Sequence, residues 1–372
     1  MSLPITDGQT LFIAFTLFYQ LECLHWLPLG SVVLRSWAMR RGWAASHPSP
    51  LVSARFKGLA MTWPLPPLGS VLVAQPWPVI PDMSGLWIGT GQAQEGKRLD
   101  WAAIHPNQEE RTVKLAANIE VHCTSLRAAQ LLTEFLTDAT TKEDQRMDLI
   151  EEFWRSSLSL PRARAAVRRY LLAAGTLRAP CMAVFFISFV WIPLLFWRFG
   201  GNSWSVLIGF VTLLIMTTLV AFVWQKLDFR LFPNSRRKRW TQMLHFIFMP
   251  AHTIRAHDLI GTEVLAGLHP LPAAARVLKS EALKALASHT WRSWKFRSAS
   301  DALIPATAVV LPRLEDCCRR LGLSVGELEE APPRQGAAAS FCPRCHSQFS
   351  LAAATCGNCG EIPTRKWNTD TA

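Results

Sequence analysis

The residues best placed to do chemistry lie near the end of the chain, where FCPRCHSQFSLAAATCGNCGEIP holds two C-x-x-C pairs. Cys342 and Cys345 form the first pair, Cys356 and Cys359 the second, and ten residues separate them. A tight turn is expected at each pair, with Pro343 helping one and Gly357 and Gly360 the other. Two such turns facing each other bring four thiolates into a tetrahedron, the geometry zinc accepts most readily and iron also accepts. Four cysteine ligands leave no vacant position for a substrate, so a metal here is expected to be structural rather than catalytic.

This tail resembles a zinc ribbon over about residues 340–362. The resemblance implies that Cys342, Cys345, Cys356 and Cys359 are structural ligands of Zn2+, with iron in a rubredoxin-like site as the chemical runner-up. The first pair departs from the pattern: His346 stands where many such modules have glycine. That bears on the backbone of the first turn and not on the ligand set, since four cysteines suffice without His346. A closed site of this kind folds a module too small to bury a core of its own. The remainder of the chain resembles no family of established activity.

Two other segments carry candidate chemistry. MLHFIFMPAHTIRAHDLI contains His245, His252, His257 and Asp258, donors that suit a metal. His252 and His257 are five residues apart, not the four that stack ligands on one helix face, and Pro250 interrupts the run. The segment therefore reads first as an amphipathic helix at a membrane interface. The second reading joins it to Glu22 and His25 in a membrane-embedded metal-dependent enzyme. HTWRSWKFR, His289–Arg297, interleaves aromatic and basic residues. That mixture suits nucleic-acid bases, but equally a membrane surface. Cys23, Cys123, Cys181, Cys317 and Cys318 read as small apolar residues; their spacing gives no disulfide framework. No P-loop, dinucleotide glycine pattern, H-E-x-x-H or G-x-S-x-G occurs. The expected function is non-enzymatic: membrane-anchored binding or scaffolding, with a membrane-tethered nucleic-acid binder as a third reading.

What must position these residues is a chain of 372 residues whose charged fraction, 18%, is low against about 25% in soluble domains. Sixteen tryptophans against two tyrosines also favour a membrane–water boundary. Cys181–Trp197 and Trp204–Trp224 are uncharged apolar runs joined by the short stretch 198–203. A crossing helix needs about 20 such residues, so the pair reads as a transmembrane hairpin, with Pro193 expected to kink the first member. A third apolar segment, Leu11–Leu34, contains Gln20, Glu22, His25 and Pro28, and no cleavable secretory signal is recognised in it. Arg and Lys cluster at 35–57, 162–178 and 226–239, while the hairpin turn has Arg198 alone. Basic loops stay on the cytoplasmic side. The expected topology thus puts the N-terminus and the hairpin turn outside, residues 35–178 and everything after Lys226 inside, in the plasma or inner membrane. The net charge of +12 is then largely accounted for by the membrane, and nucleic acid is not expected as a partner. The expected partners are the lipid bilayer and a protein docking on the ribbon.

Between these segments, Val71–Ala74, Pro78–Ile80, Leu86–Ile88 and Ile119–His122 read as short strands among proline-rich turns. Ser125 reads as the cap of a helix, a second helix buries Ile150, Trp154 and Leu158, and a third is expected from Pro272 to Ser288. Residues 312–330 read as two short helices, with Ser324–Glu327 as a capping box. The fold class expected is an α-helical membrane protein of two to three transmembrane helices with a small cytoplasmic α+β module and a C-terminal zinc ribbon. Its segments are 9–34 (hydrophobic or transmembrane), 50–140 (β-rich α+β module), 141–178 (basic juxtamembrane helices), 179–226 (transmembrane hairpin), 240–330 (interfacial and cytoplasmic helices), 331–340 (linker) and 341–362 (ribbon).

Overall fold

The computed structural model describes residues 7–26, 32–37, 41–45, 69–88, 98–233, 239–298, 301–351, 353–359 and 362–367. The N-terminal apolar segment is a helix, α1 (Asp7–Trp26), and does not continue to Leu34. Val32–Trp37 is instead a strand, β1, whose β-branched Val32 and Val33 suit a pleated ladder better than a helix. It pairs antiparallel with β2 (Arg41–Ala45) on one side and β3 (Gly69–Ala74) on the other. The long-range partner, 42 positions away at the Val32–Ala74 pair and 32 at Trp37–Gly69, decides the conformation over the local apolar run.

Two further three-stranded sheets follow: β4 (Val79–Asp82), β5 (Gly85–Ile88) and β6 (Arg98–Leu99), then β7 (Asn107–Glu109), β8 (Thr112–Ala116) and β9 (Ile119–His122). Helix α2 (Leu126–Thr141) begins at Ser125, whose side chain accepts from Ala128 N, and α3 (Arg146–Ser157) buries Ile150 and Trp154. One apolar core runs from Val32 and Leu72 through these sheets and helices to Leu314 and Leu328. At its centre Trp77 lies edge-on to Trp154 at 4.8 Å, stacks on His269 at 4.3 Å and donates to Ser157 Oγ at 3.0 Å. The strands before residue 123 and the helices after residue 265 are therefore two parts of one packed body.

Helix α4 (Leu160–Phe186) leaves this body, continues through a π-turn at Ile187–Trp191 and ends as α5 (Ile192–Phe199). Pro193 cannot donate to the carbonyl four residues before it, and the wider turn lets the helix go on past the missing bond. Gly200 at φ 70° closes the helix, and the Asn202 side chain accepts from Ser205 N to open α6 (Ser203–Leu231). Two helices, Gly175–Phe199 and Ser203–Leu231, are long and apolar enough to cross a membrane. α1 lies beside them, its Phe12, Phe15 and Tyr19 rings all around Phe189.

Beyond α6 come α7 (Arg239–Phe248), α8 (Pro250–Ile254), α9 (Ala256–Val264), α10 (Pro270–Val277), α11 (Ser280–Lys295), α12 (Ile304–Arg320) and α13 (Val325–Leu328). The single helix expected over Pro272–Ser288 is two, broken at Leu278 and Lys279, and α12 is longer than the short helix expected there. The Ser324–Glu327 capping box is present on both sides. Within His245–Asp258, expected as an amphipathic helix, residues 251–258 are buried against α1, α4 and α6, while His245, Phe248 and Met249 are exposed.

Candidate metal centre

The C-terminal module is built of two small antiparallel ladders. β10 (Ser340–Phe341) pairs with β11 (Gln348–Phe349) and β14 (Arg365–Lys366), and β12 (Thr355–Cys356) pairs with β13 (Ile362–Pro363). The first cysteine pair sits in the β10–β11 turn, where Cys342 N donates to Ser347 O and His346 N to Cys342 O, both at 2.9 Å. His346 takes the left-handed backbone at φ 61° that the turn demands, the reason glycine would be the usual occupant. Cys356 ends β12, and a 3-10 turn, Gly357–Cys359, brings Cys359 back beside it.

These turns converge the four sulfurs. All lie within 4.8 Å of one another, and Cys345 and Cys356 Sγ are 3.7 Å apart. A tetrahedron with metal–sulfur bonds of about 2.3 Å has edges of about 3.8 Å, close to the Cys345–Cys356 separation, so four close cysteines here could hold a metal ion. Hydrogen bonds from Cys342 and Cys359 pull the Cys345 thiol far below its ordinary range; bonds to Cys342 and Cys345 push the Cys359 thiol far above. A shared set in which one member already favours the thiolate is what a cation completes. Around the sulfurs the module packs Ile362 with Phe349 partly covered, and Phe341 is buried against Trp367, so its apolar core is a handful of side chains. Such a core is small for a module of this size, and a metal bound by the four cysteines would contribute to its folding free energy.

The module is seated on α11. Phe296 packs against the cysteine core and lies under the Arg365 guanidinium at 4.8 Å. Arg292 meets the His346 ring. Burial lowers the Arg292 pKa to about 10, and the nearby Cys345 and Cys342 thiolates act against that loss of charge. Burial, followed by the Arg292 charge, lowers His346 to about 4, so the guanidinium faces a neutral imidazole. Four thiolates on a divalent ion would carry a formal charge of about −2, part of which this buried arginine would offset. The segment 331–339 is tied down as well: Gln335 N donates to Gln348 Oε1 and Gln348 Nε2 to Pro333 O, both at 2.8 Å. Composition reads a linker there; the hydrogen bonds lay it along the ribbon.

The arginine and phenylalanine of this seat belong to His289–Arg297, which by composition reads as a lipid surface. Trp291 and Trp294 are instead buried in the core of the body, and Arg292 is buried where that core meets the ribbon. An arginine among tryptophans gives no sign of which partner it faces, and only the fold brings thiolates beside it.

Among the described residues, the four cysteines are the one group of three or more His, Cys, Asp or Glu that converges on a common point. The His245–Asp258 donors are spread over other contacts. His245 and His252 lie ring to ring at 4.2 Å, and His252 Nε2 is 2.7 Å from Gln242 Nε2. Asp258 takes Arg255 at 2.5 Å and His257 at 3.1 Å, with the Tyr170 hydroxyl at 3.3 Å. This is a buried ion network rather than a ligand sphere. Glu22 and His25 are on α1, with side chains outside the described residues. Cys123, Cys317 and Cys318 are buried thiols, their pKa values pushed up to about 12, 12 and 11 by burial, and so inert. No family model, curated protein or solved structure matches this chain.

Proposed function

We propose that this chain is a non-enzymatic membrane protein that holds one α/β body and a zinc ribbon on the cytoplasmic side of the membrane, where the ribbon docks a protein partner. The observation that carries the reading is the closed donor set: four sulfurs within 4.8 Å of one another, all from one small module. Such a site offers no position for a substrate, and its cost in cysteines is repaid as a rigid recognition surface. Zinc is favoured over iron because tetrahedral thiolate sites without redox duty are its usual setting. The cytoplasmic side is supported by the arginines and lysines flanking the two apolar helices.

Leu351 marks the docking face. It lies between the two cysteine pairs and is 81% exposed, the most exposed large apolar side chain in the described ribbon. A photoreactive residue at position 351 in the full chain, irradiated in cells, is expected to give a discrete protein adduct that disappears in a Cys345→Ser background. Equal labelling with and without Cys345, or labelling of lipid alone, contradicts the docking role.

A further inference from the structure

The segment after the second apolar helix folds into a hairpin with an unusual tip. α7 turns back along α6: Arg239 pairs with Asp228 at 3.1 Å, Phe246 meets Trp224 edge-on at 5.0 Å, and the Thr217 hydroxyl donates to Ile247 O at 3.1 Å. From Trp224 to Thr217 is about 10 Å along a helix, so the tip at Met249 stands well inside the apolar length of α6. α8 and α9 then return beside α4 and α1, with Cys181 Sγ 3.4 Å from Thr253 O and Arg255 reaching the Tyr19 hydroxyl at 3.4 Å.

The tip is chemically equipped for a place without water. Pro250 has no N–H to give Phe246 O, which an unbroken helix would supply. The buried Thr253 hydroxyl takes over, donating to Phe246 O at 2.5 Å, with Met249 O as a further acceptor at 3.1 Å. Thr217 serves Ile247 O in the same way. Irregular backbone survives at membrane depth only when its polar groups are met by protein, and here two threonines meet them. The outer face of α7 is the reverse: Trp240, Leu244 and Phe248, at successive steps of four, are 72%, 52% and 67% exposed. Phe222 and Phe229 on α6, the helix along which α7 packs, are exposed as well, at 58% and 61%.

We propose that Arg239–Val264 is a re-entrant hairpin which enters the bilayer from the ribbon side and turns back within one leaflet, its Trp240–Leu244–Phe248 face covered by lipid acyl chains. The proposal rests on the reading of the two apolar helices as membrane spans. It gives the buried Arg255–Asp258–His257 network a reason, since charges brought to that depth must be paired inside the protein.

The test uses the full chain in lipid nanodiscs, which leave both membrane faces open to solvent, with cysteine reporters reacted with a charged maleimide and read against the wild-type background. Met147→Cys reports the body, Ile215→Cys the second apolar helix, and Phe248→Cys or, as an independent site, Leu244→Cys the hairpin. The expected result is fast labelling at position 147 and labelling at least about tenfold slower at 215, 244 and 248. Because Phe248 is exposed on the protein itself, its protection has no source but lipid. Fast labelling at 244 and 248 with protection at 215 overturns the hairpin and leaves the spans standing. Fast labelling at 215 as well overturns the membrane reading beneath it.

Discussion

Arg292 holds a charge in a nearly closed place, and the thiolates beside it are what keep that charge favourable. Outer contacts of this sort tune a metal site by roughly 10–100-fold in affinity. Arg292→Ala is therefore expected to weaken metal binding by about that factor in competition with a chromophoric chelator, with Arg292→Lys restoring part of it; unchanged affinity in both would detach Arg292 from the site. His269 gives a different residue-scale prediction. Burial lowers its pKa to about 3, and its neutral ring accepts from Leu271 N at the start of α10. The unfolded chain takes up a proton near pH 6.5 and the folded one does not. His269 thus contributes its full stability above about pH 6.5 and loses about 1.4 kcal/mol per unit as pH falls towards 3. His269→Asn, which keeps a capping acceptor, is expected to flatten the fall in unfolding midpoint between about pH 6 and 4. An unchanged slope would show that other groups carry it. At this scale the sequence was informative where chemistry is local. The four cysteines announce themselves by spacing alone. Arg292 does not, because its partner His346 is 54 positions away and nothing near it in the chain points there.

At the scale of elements, local signals hold where capping or alternation decides the outcome. Ser125 and Ser324 cap as their sequences indicate, and Val71–Ala74, Val79–Ile80, Leu86–Ile88 and Ile119–His122 are strands. They fail where a distant partner decides. Val32–Leu34 leaves the apolar helix because β3 offers it a ladder, and His252–Asp258 is buried because three helices close around it. The packing of α9 on α4 shows how tight that closure is. A Cβ on Gly261 would lie 2.7 Å from the Tyr170 ring and 2.9 Å from Leu72 Cδ2. Tyr170 is held against Asp258 and has little room to give. Gly261→Ala should therefore cost about 1–3 kcal/mol by overpacking, read as a lowered midpoint in thermal unfolding of the detergent-solubilised chain. A neutral or stabilising effect would mean that this contact relaxes freely. Ser125→Ala should cost about 1 kcal/mol through the lost cap.

The whole molecule has an apolar end and a polar end. Two helices long and apolar enough to cross a membrane, with α1 beside them, carry exposed Trp197, Phe199 and Trp204 at their turn, while the charged body and the ribbon gather at the other end. Asp7 Oδ2 lies within reach of Gly201, so the start of α1 and the hairpin turn share one face. Everything proposed for the ribbon depends on a metal completing the four-cysteine set. The most direct measurement is the metal content of the purified full chain and of its Cys342→Ser/Cys345→Ser variant. The account predicts one zinc per chain in the wild type and none in the variant. A wild type that purifies folded and metal-free, or a metal that survives the loss of both cysteines, would contradict it.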